Sequence, residues 1–110
     1  MADDAAGDVF AHIREFDWDP EKRERTLRER KIDFEDARFV FDGPTIVRRS
    51  DRNNETRYMV FGFLDDVEVV VICTIRGSVC WVISARRARR DERKKYHACL
   101  PRVSAQKKQD

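Results

Sequence analysis

The chain has 110 residues, 41% of them hydrophobic and 40% charged, with a formal net charge of +2. That length fits one compact domain, and the apolar residues fall in periodic runs, which excludes a wholly disordered chain. No apolar run is longer than Val69–Cys73, which is far too short to span a bilayer. An N-terminus carrying Asp3, Asp4 and Asp8 does not read as a secretory signal. Cys73, Cys80 and Cys99 show neither Cys-x-x-Cys spacing nor an even count. This argues against a disulfide framework or a zinc site, and for reduced thiols in a cytoplasmic protein. The charge is polarised: residues 84–110 hold ten Lys/Arg against three Asp/Glu, while residues 1–83 are net acidic at −5. Such a basic end faces a polyanion or an acidic protein, or is simply a solvated helix.

In chain order, residues 1–14 read as an N-terminal extension, 15–100 as a single domain and 101–110 as a polar tail. Phe16 and Trp18 alternate with Asp17 and Asp19 as in a short edge strand. Asp19 can cap a helix whose first residue is Pro20 and which runs to about Arg30. Its only large aliphatic residue is Leu27, so one narrow stripe faces the core. Asp33 can cap a second helix, with Asp36 as a capping-box partner and Phe34, Ala37, Val40 and Phe41 as its apolar face. Gly43-Pro44 ends it. After a short strand candidate at Thr45–Arg49 come strands at Thr56–Leu64, Val67–Ile75 and Ser78–Ala85, joined by tight turns at Asp65-Asp66 and Arg76-Gly77. The result is an antiparallel meander, apolar on both faces, so both must be covered. Residues 86–97 read as a basic C-terminal helix capped by Ser84 or a neighbour, with Pro101 as its stop. The fold class is therefore α+β: an antiparallel sheet with a β-meander, two N-terminal helices and a basic C-terminal helix.

Several runs carry a family resemblance. Phe16-Asp17-Trp18-Asp19-Pro20-x-Lys22, then Phe34-Glu35-Asp36-Ala37 and Phe41-Asp42, resemble the opening half of the BrnT toxin family. Thr56-Arg57-Tyr58-Met59-Val60-Phe61-Gly62 is similar to its central strand. Val82-Ile83-Ser84-Ala85-Arg86-Arg87-Ala88, followed by Glu92-Arg93 and Tyr96, is similar to its closing signature. The resemblance covers about residues 16–96. It implies a RelE-like fold and a type II toxin: a metal-independent endoribonuclease without cofactors that cleaves RNA and inhibits translation. It also implies a partner, a BrnA-like antitoxin, which would neutralise the toxin in a hetero-oligomer and bind operator DNA through a ribbon-helix-helix region. Thr26 stands where the family usually has Asn, and Glu29-Arg30-Lys31 where it usually has Lys-His-Gly. The missing glycine is expected to change the turn between the helices, and the missing histidine removes a polar site residue. A catalytically silent relative that acts through partner binding and operator regulation is the alternative.

RNA cleavage of this kind uses the 2′-hydroxyl as nucleophile, so it needs a base, a donor to the leaving 5′-oxygen and cations around the phosphorane. The histidines, His12 and His97, lie outside the motif core, which points to a site of Arg and Lys, with Tyr as a further candidate type. Arg86 and Arg87, at the junction of the last strand and last helix, are the first candidates, because an arginine fork holds two phosphate oxygens. The alternative for them is pairing with acidic antitoxin residues. Arg57 and Lys22 are second. Arg57 opens an apolar strand, and Lys22 opposes the helix dipole in its first turn, although it could equally pair with Glu15 or Asp19. Arg89, Arg90 and Arg93, with Lys94 and Lys95, read as an RNA-binding field. Tyr58, Trp18, Trp81 and Tyr96 read as packing residues in preference to base-stacking ones.

Overall fold

The computed structural model describes residues 10–99. The expectations for residues 1–9 and for the polar tail 101–110 lie outside them. A 3-10 turn, Phe10–His12, leads into β1, Glu15–Trp18. Helix α1 spans Pro20–Arg30, a 3-10 turn Phe34–Asp36 runs into α2, Ala37–Asp42, and four strands follow. These are β2, Ile46–Arg52; β3, Glu55–Leu64; β4, Val67–Arg76; and β5, Val79–Arg87. Helix α3 covers Arg90–Cys99.

The described strands form one sheet in the order β1-β5-β4-β3-β2. Strands β2 to β5 make the expected antiparallel meander, extended by one strand. The sheet as a whole is mixed rather than antiparallel, because β1 lies parallel to β5, with Phe16 beside Cys80 and Trp18 beside Val82. The reason lies in the connection. β1 feeds a helix instead of a hairpin, so the chain crosses to the far edge before the meander returns to it.

The hairpin turns follow residue chemistry. Asn53-Asn54 and Asp65-Asp66 place both central residues at positive φ (53° and 61°, 51° and 66°), the conformation tight hairpins need and Asn and Asp tolerate. The first of these turns pulls Ser50–Arg52 into register with Glu55–Arg57, so β2 runs beyond the expected Arg49. The last turn is Gly77-Ser78, one residue later than expected, since Arg76 stays in the ladder opposite Val79. Gly77 supplies the positive φ of 62°.

Both sheet faces are covered, as the two-sided apolar pattern requires. On one face Phe34, Ala37 and Val40 pack on Tyr58, Val60, Val71, Cys73, Cys80 and Val82, joined by Phe10, Ile13 and Trp18. On the other, Tyr96 of α3 and Ala88 pack on Phe61 and Val70, with Ile46, Met59, Phe63 and Ile72 around them. Gly62 lets Val40 come close: a Cβ there would stand 2.6 Å from Val40 Cγ1.

Helix α1 has the expected limits, and the Asp19 carboxylate accepts the Glu21 N–H at 3.0 Å. Its inward residue is Thr26, 7% exposed, while Leu27 is 41% exposed. The helix lies against β5 and the Phe34–Asp36 turn and offers a polar side chain to the protein, so the expected Leu27 stripe is corrected. The turn after α1 keeps a glycine-like shape without glycine. Lys31 itself adopts the left-handed conformation (φ 61°, ψ 32°) and donates its N–H to Leu27 O at 3.0 Å. Asp33 caps the next turn as expected, accepting the Glu35 N–H at 3.0 Å, whereas Asp36 adds no side-chain cap. Helix α3 begins at Arg90 instead of 86, because β5 stays paired with β4 as far as Arg87 opposite Val69. Its cap is not Ser84: the Glu92 carboxylate accepts the Arg89 N–H at 2.7 Å.

Candidate active site

Register puts the sequence candidates on defined rows of the sheet. Alternation along β3 turns Arg57 to the face opposite Tyr58, which is buried in the first core, edge-on to Phe10. On Arg57's face, one row crosses Ser50, Arg57, Thr74, Trp81 and Asp17. The next crosses Arg48, Met59, Ile72 and Ser84, and a third crosses Ile46, Phe61, Val70 and Arg86. Helix α3 covers the third row. The first row is left to α1 and to long side chains.

Lys22, Thr26 and Arg30 recur every four residues and so share one side of α1. Thr26 is buried, and Arg30 donates to Ser84 Oγ at 3.4 Å and to the Ala85 carbonyl at 3.1 Å. This side therefore faces β5 and the open rows. Lys22 is half-buried there. Burial first, then the positive fields of Arg25, Arg57 and Arg30, hold its ammonium below the usual lysine range, with Asp19 opposing. The structure thus brings Lys22 and Arg57 into one cationic cluster and adds Arg25 and Arg30. Arg57 is steadied by Glu55 at 3.0 Å, and Glu55 also faces Arg76 at 3.6 Å.

Arg86 and Arg87 do not join this cluster as a pair. Arg86 forks onto Glu92, with Nη1–Oε1 at 2.7 Å and Nη2–Oε2 at 2.8 Å. Glu92 is pushed down to about 2, chiefly by Arg86 and then by the Arg89 N–H. This pair fastens β5 to α3 and commits the Arg86 guanidinium. Arg87 is exposed and points to the opposite face, beside Val69. Arg89 and Arg90 are exposed at the start of α3, and Arg93, also exposed, donates to the Ala88 carbonyl at 3.0 Å. Tyr96 is buried and bonds Pro44 O at 2.8 Å, with its hydroxyl pushed up to about 12 by burial. His97 is held against Glu68. The Cys73 thiol, raised by its buried neighbour Cys80, stays protonated and unreactive. Of the two tryptophans, Trp18 joins the first core under the Arg23 guanidinium, while Trp81 belongs to neither.

Sequence reasoning missed Arg25, Arg30 and the anchoring role of Glu92. The four-residue recurrence of Lys22, Thr26 and Arg30 was the available signal for Arg30. The three-residue spacing of Arg89 and Glu92 was the signal for the cap.

Residues 18–92 match the family model described as the ribonuclease toxin BrnT of a type II toxin-antitoxin system. The crystal structure of the Brucella abortus ribonuclease toxin BrnT is similar in fold, with a TM-score of 0.53 and 22% identity, covering 69% of this chain and 97% of that one. No curated protein sequence matches at a significant level. With its α+β fold, its mixed five-stranded sheet and the family model spanning most of its length, the chain belongs to the BrnT family of ribonuclease toxins of type II toxin-antitoxin systems.

Proposed function

We propose that this protein is a metal-independent endoribonuclease toxin whose site is the Lys22–Arg57–Arg30 cluster, with Arg25 at its rim. The carrying observation is the crowding of these cations around a half-buried lysine whose ammonium is depressed. Such a lysine gives up its proton more readily than an ordinary one, and the free amine can act as a base. Lys22 removes the 2′-hydroxyl proton, and the 2′-oxygen bonds to the adjacent phosphorus. The P–O5′ bond then breaks, leaving a 2′,3′-cyclic phosphate and a 5′-hydroxyl that gains a proton from solvent or a neighbouring donor. Arg57 and Arg30 stabilise the phosphorane charge. In this reading Arg86 positions α3, and Arg87, Arg89, Arg90 and Arg93 supply the field that draws in RNA. The protein acts in the cytoplasm, cleaves messenger RNA and so inhibits translation, and a BrnA-like antitoxin silences it.

The silent alternative draws on one observation: where the family usually has histidine, Arg30 is spent on Ser84 and Ala85. The deciding experiment incubates purified protein with a labelled oligoribonucleotide. Cleavage to 2′,3′-cyclic phosphate ends, abolished by Lys22→Met and absent for a substrate lacking 2′-hydroxyls, is the expected result. Intact RNA with folded wild-type protein refutes the enzymatic reading and leaves the silent one.

A further inference from the structure

Trp81 is out of place for a packing residue. It lies in the middle of a strand yet joins neither apolar core. It stands half-buried on the same row as Arg57, with Thr74 between them, so the two side chains rise two strands, roughly 10 Å, apart. Its ring is covered by the guanidinium of Arg76, 4.7 Å from the ring centroid. That guanidinium is easily moved. The Arg76 side chain is 56% exposed, and its ion pair with Glu55 is loose at 3.6 Å.

We propose that Trp81 is a stacking platform for one nucleobase of the RNA, placed so that the adjoining phosphate lies at Lys22 and Arg57. The proposal rests on the ribonuclease reading and adds a base subsite to it. Three features favour a nucleotide as the occupant. Every base has a flat π-face, and an indole takes it with little regard to sequence. The cations tied to this row, Arg76 over the ring, Arg57 two strands away and Lys22 in the field of Arg57, match a phosphodiester backbone. A guanidinium already resting on the ring holds the indole in a stacking orientation. When the base arrives, Arg76 leaves the ring or closes over the base. Glu55, shared between Arg57 and Arg76, keeps both arginines at this end of the sheet.

The test uses a short oligoribonucleotide with 2′-O-methyl groups, which cannot be cleaved, beside the same backbone without bases. Binding is measured by anisotropy for wild type, Trp81→Leu and Trp81→Phe, with circular dichroism as the check of fold. Wild type should bind the base-bearing strand roughly tenfold more tightly than the abasic one. Trp81→Leu should lose that preference and Trp81→Phe keep most of it. In a Trp18→Phe background, the remaining Trp81 fluorescence should be quenched by the base-bearing strand only, a readout that survives should Trp81→Leu not fold. Equal binding of the two strands by wild type, or a preference unchanged in Trp81→Leu, overturns the proposal. A cleavage assay separates the two claims. Cleavage without a Trp81 effect sinks the base subsite alone, and a Trp81-dependent base preference without cleavage sinks the enzyme reading alone.

Discussion

Replacing Glu92 by glutamine removes a carboxylate that does two jobs, caging the Arg86 fork and capping α3 at the Arg89 N–H. The fall of its pKa from 4.5 to about 2 corresponds to about 3 kcal/mol between its charged and neutral forms. The side chains are 17% and 12% exposed, so some solvent screening remains and about 2–3 kcal/mol is expected, a large share of a small domain's stability. Because the folded-state pKa is depressed, this stabilisation is fully present above the unfolded value near 4.5. It is lost as pH falls from there through about 2. Urea unfolding of wild type and Glu92→Gln should therefore differ by about 2–3 kcal/mol at pH 7, and the difference should shrink steadily below pH 4.5. Other carboxylates, such as Asp33, which Arg23 holds down, titrate in both proteins and cancel. Equal stabilities at pH 7, or a gap that persists undiminished at pH 2, would refute the reasoning.

Lys22→Met should lower cleavage at least about 100-fold. It should leave the fold at least as stable at pH 7, because a lysine whose folded pKa is depressed opposes folding while charged; single-turnover rates and thermal melts report both. Wild-type cleavage should rise with pH as Lys22 loses its proton, and the residual rate of the variant should lack that rise. Gly62→Ala forces a methyl against Val40 Cγ1 and should cost about 1–3 kcal/mol; adding Val40→Ala should restore part of it, as denaturant midpoints would show. Lys31→Gly relieves a left-handed non-glycine residue and should stabilise by about 0.5–1 kcal/mol net of glycine's extra unfolded freedom, seen as a raised Tm.

The elements most legible in the sequence were those marked by local chemistry. Asp19-Pro20 fixed the start of α1, Asp65-Asp66 the central turn, and the two-sided apolar strands the need for two cores. Asn53-Asn54 carried an equally local signal that went unread, which shortened β2. What could not be read were outcomes of distant pairing. Nothing near Glu15–Trp18 says that it will run parallel to β5, and the helix-forming composition of residues 86–87 gave way to ladder bonds with β4. The candidate cluster was half legible for the same reason. Lys22 and Arg57 stood out by local oddity, an uphill helix position and a charge opening an apolar strand. Arg86 stood out too, but its partner Glu92 sits beyond the strand end, and only the fold shows its guanidinium already engaged. Thr26 and Leu27 exchange roles because hydrophobicity alone does not show that this helix turns a polar side to β5.

The pairing of β1 with β5 also bears on timing. The meander closes through neighbours in sequence, whereas Phe16 must find Cys80, and Arg30 reaches Ser84 and Ala85 across 54 and 55 residues. Contacts of that span close slowly, after local hairpins. Lys22 rides on the late-docking segment and Arg57 on the early one, so the two halves of the site meet only at the last long-range step. A nascent chain emerging from the ribosome therefore cannot bring Lys22 and Arg57 together until β5 is free of the exit tunnel.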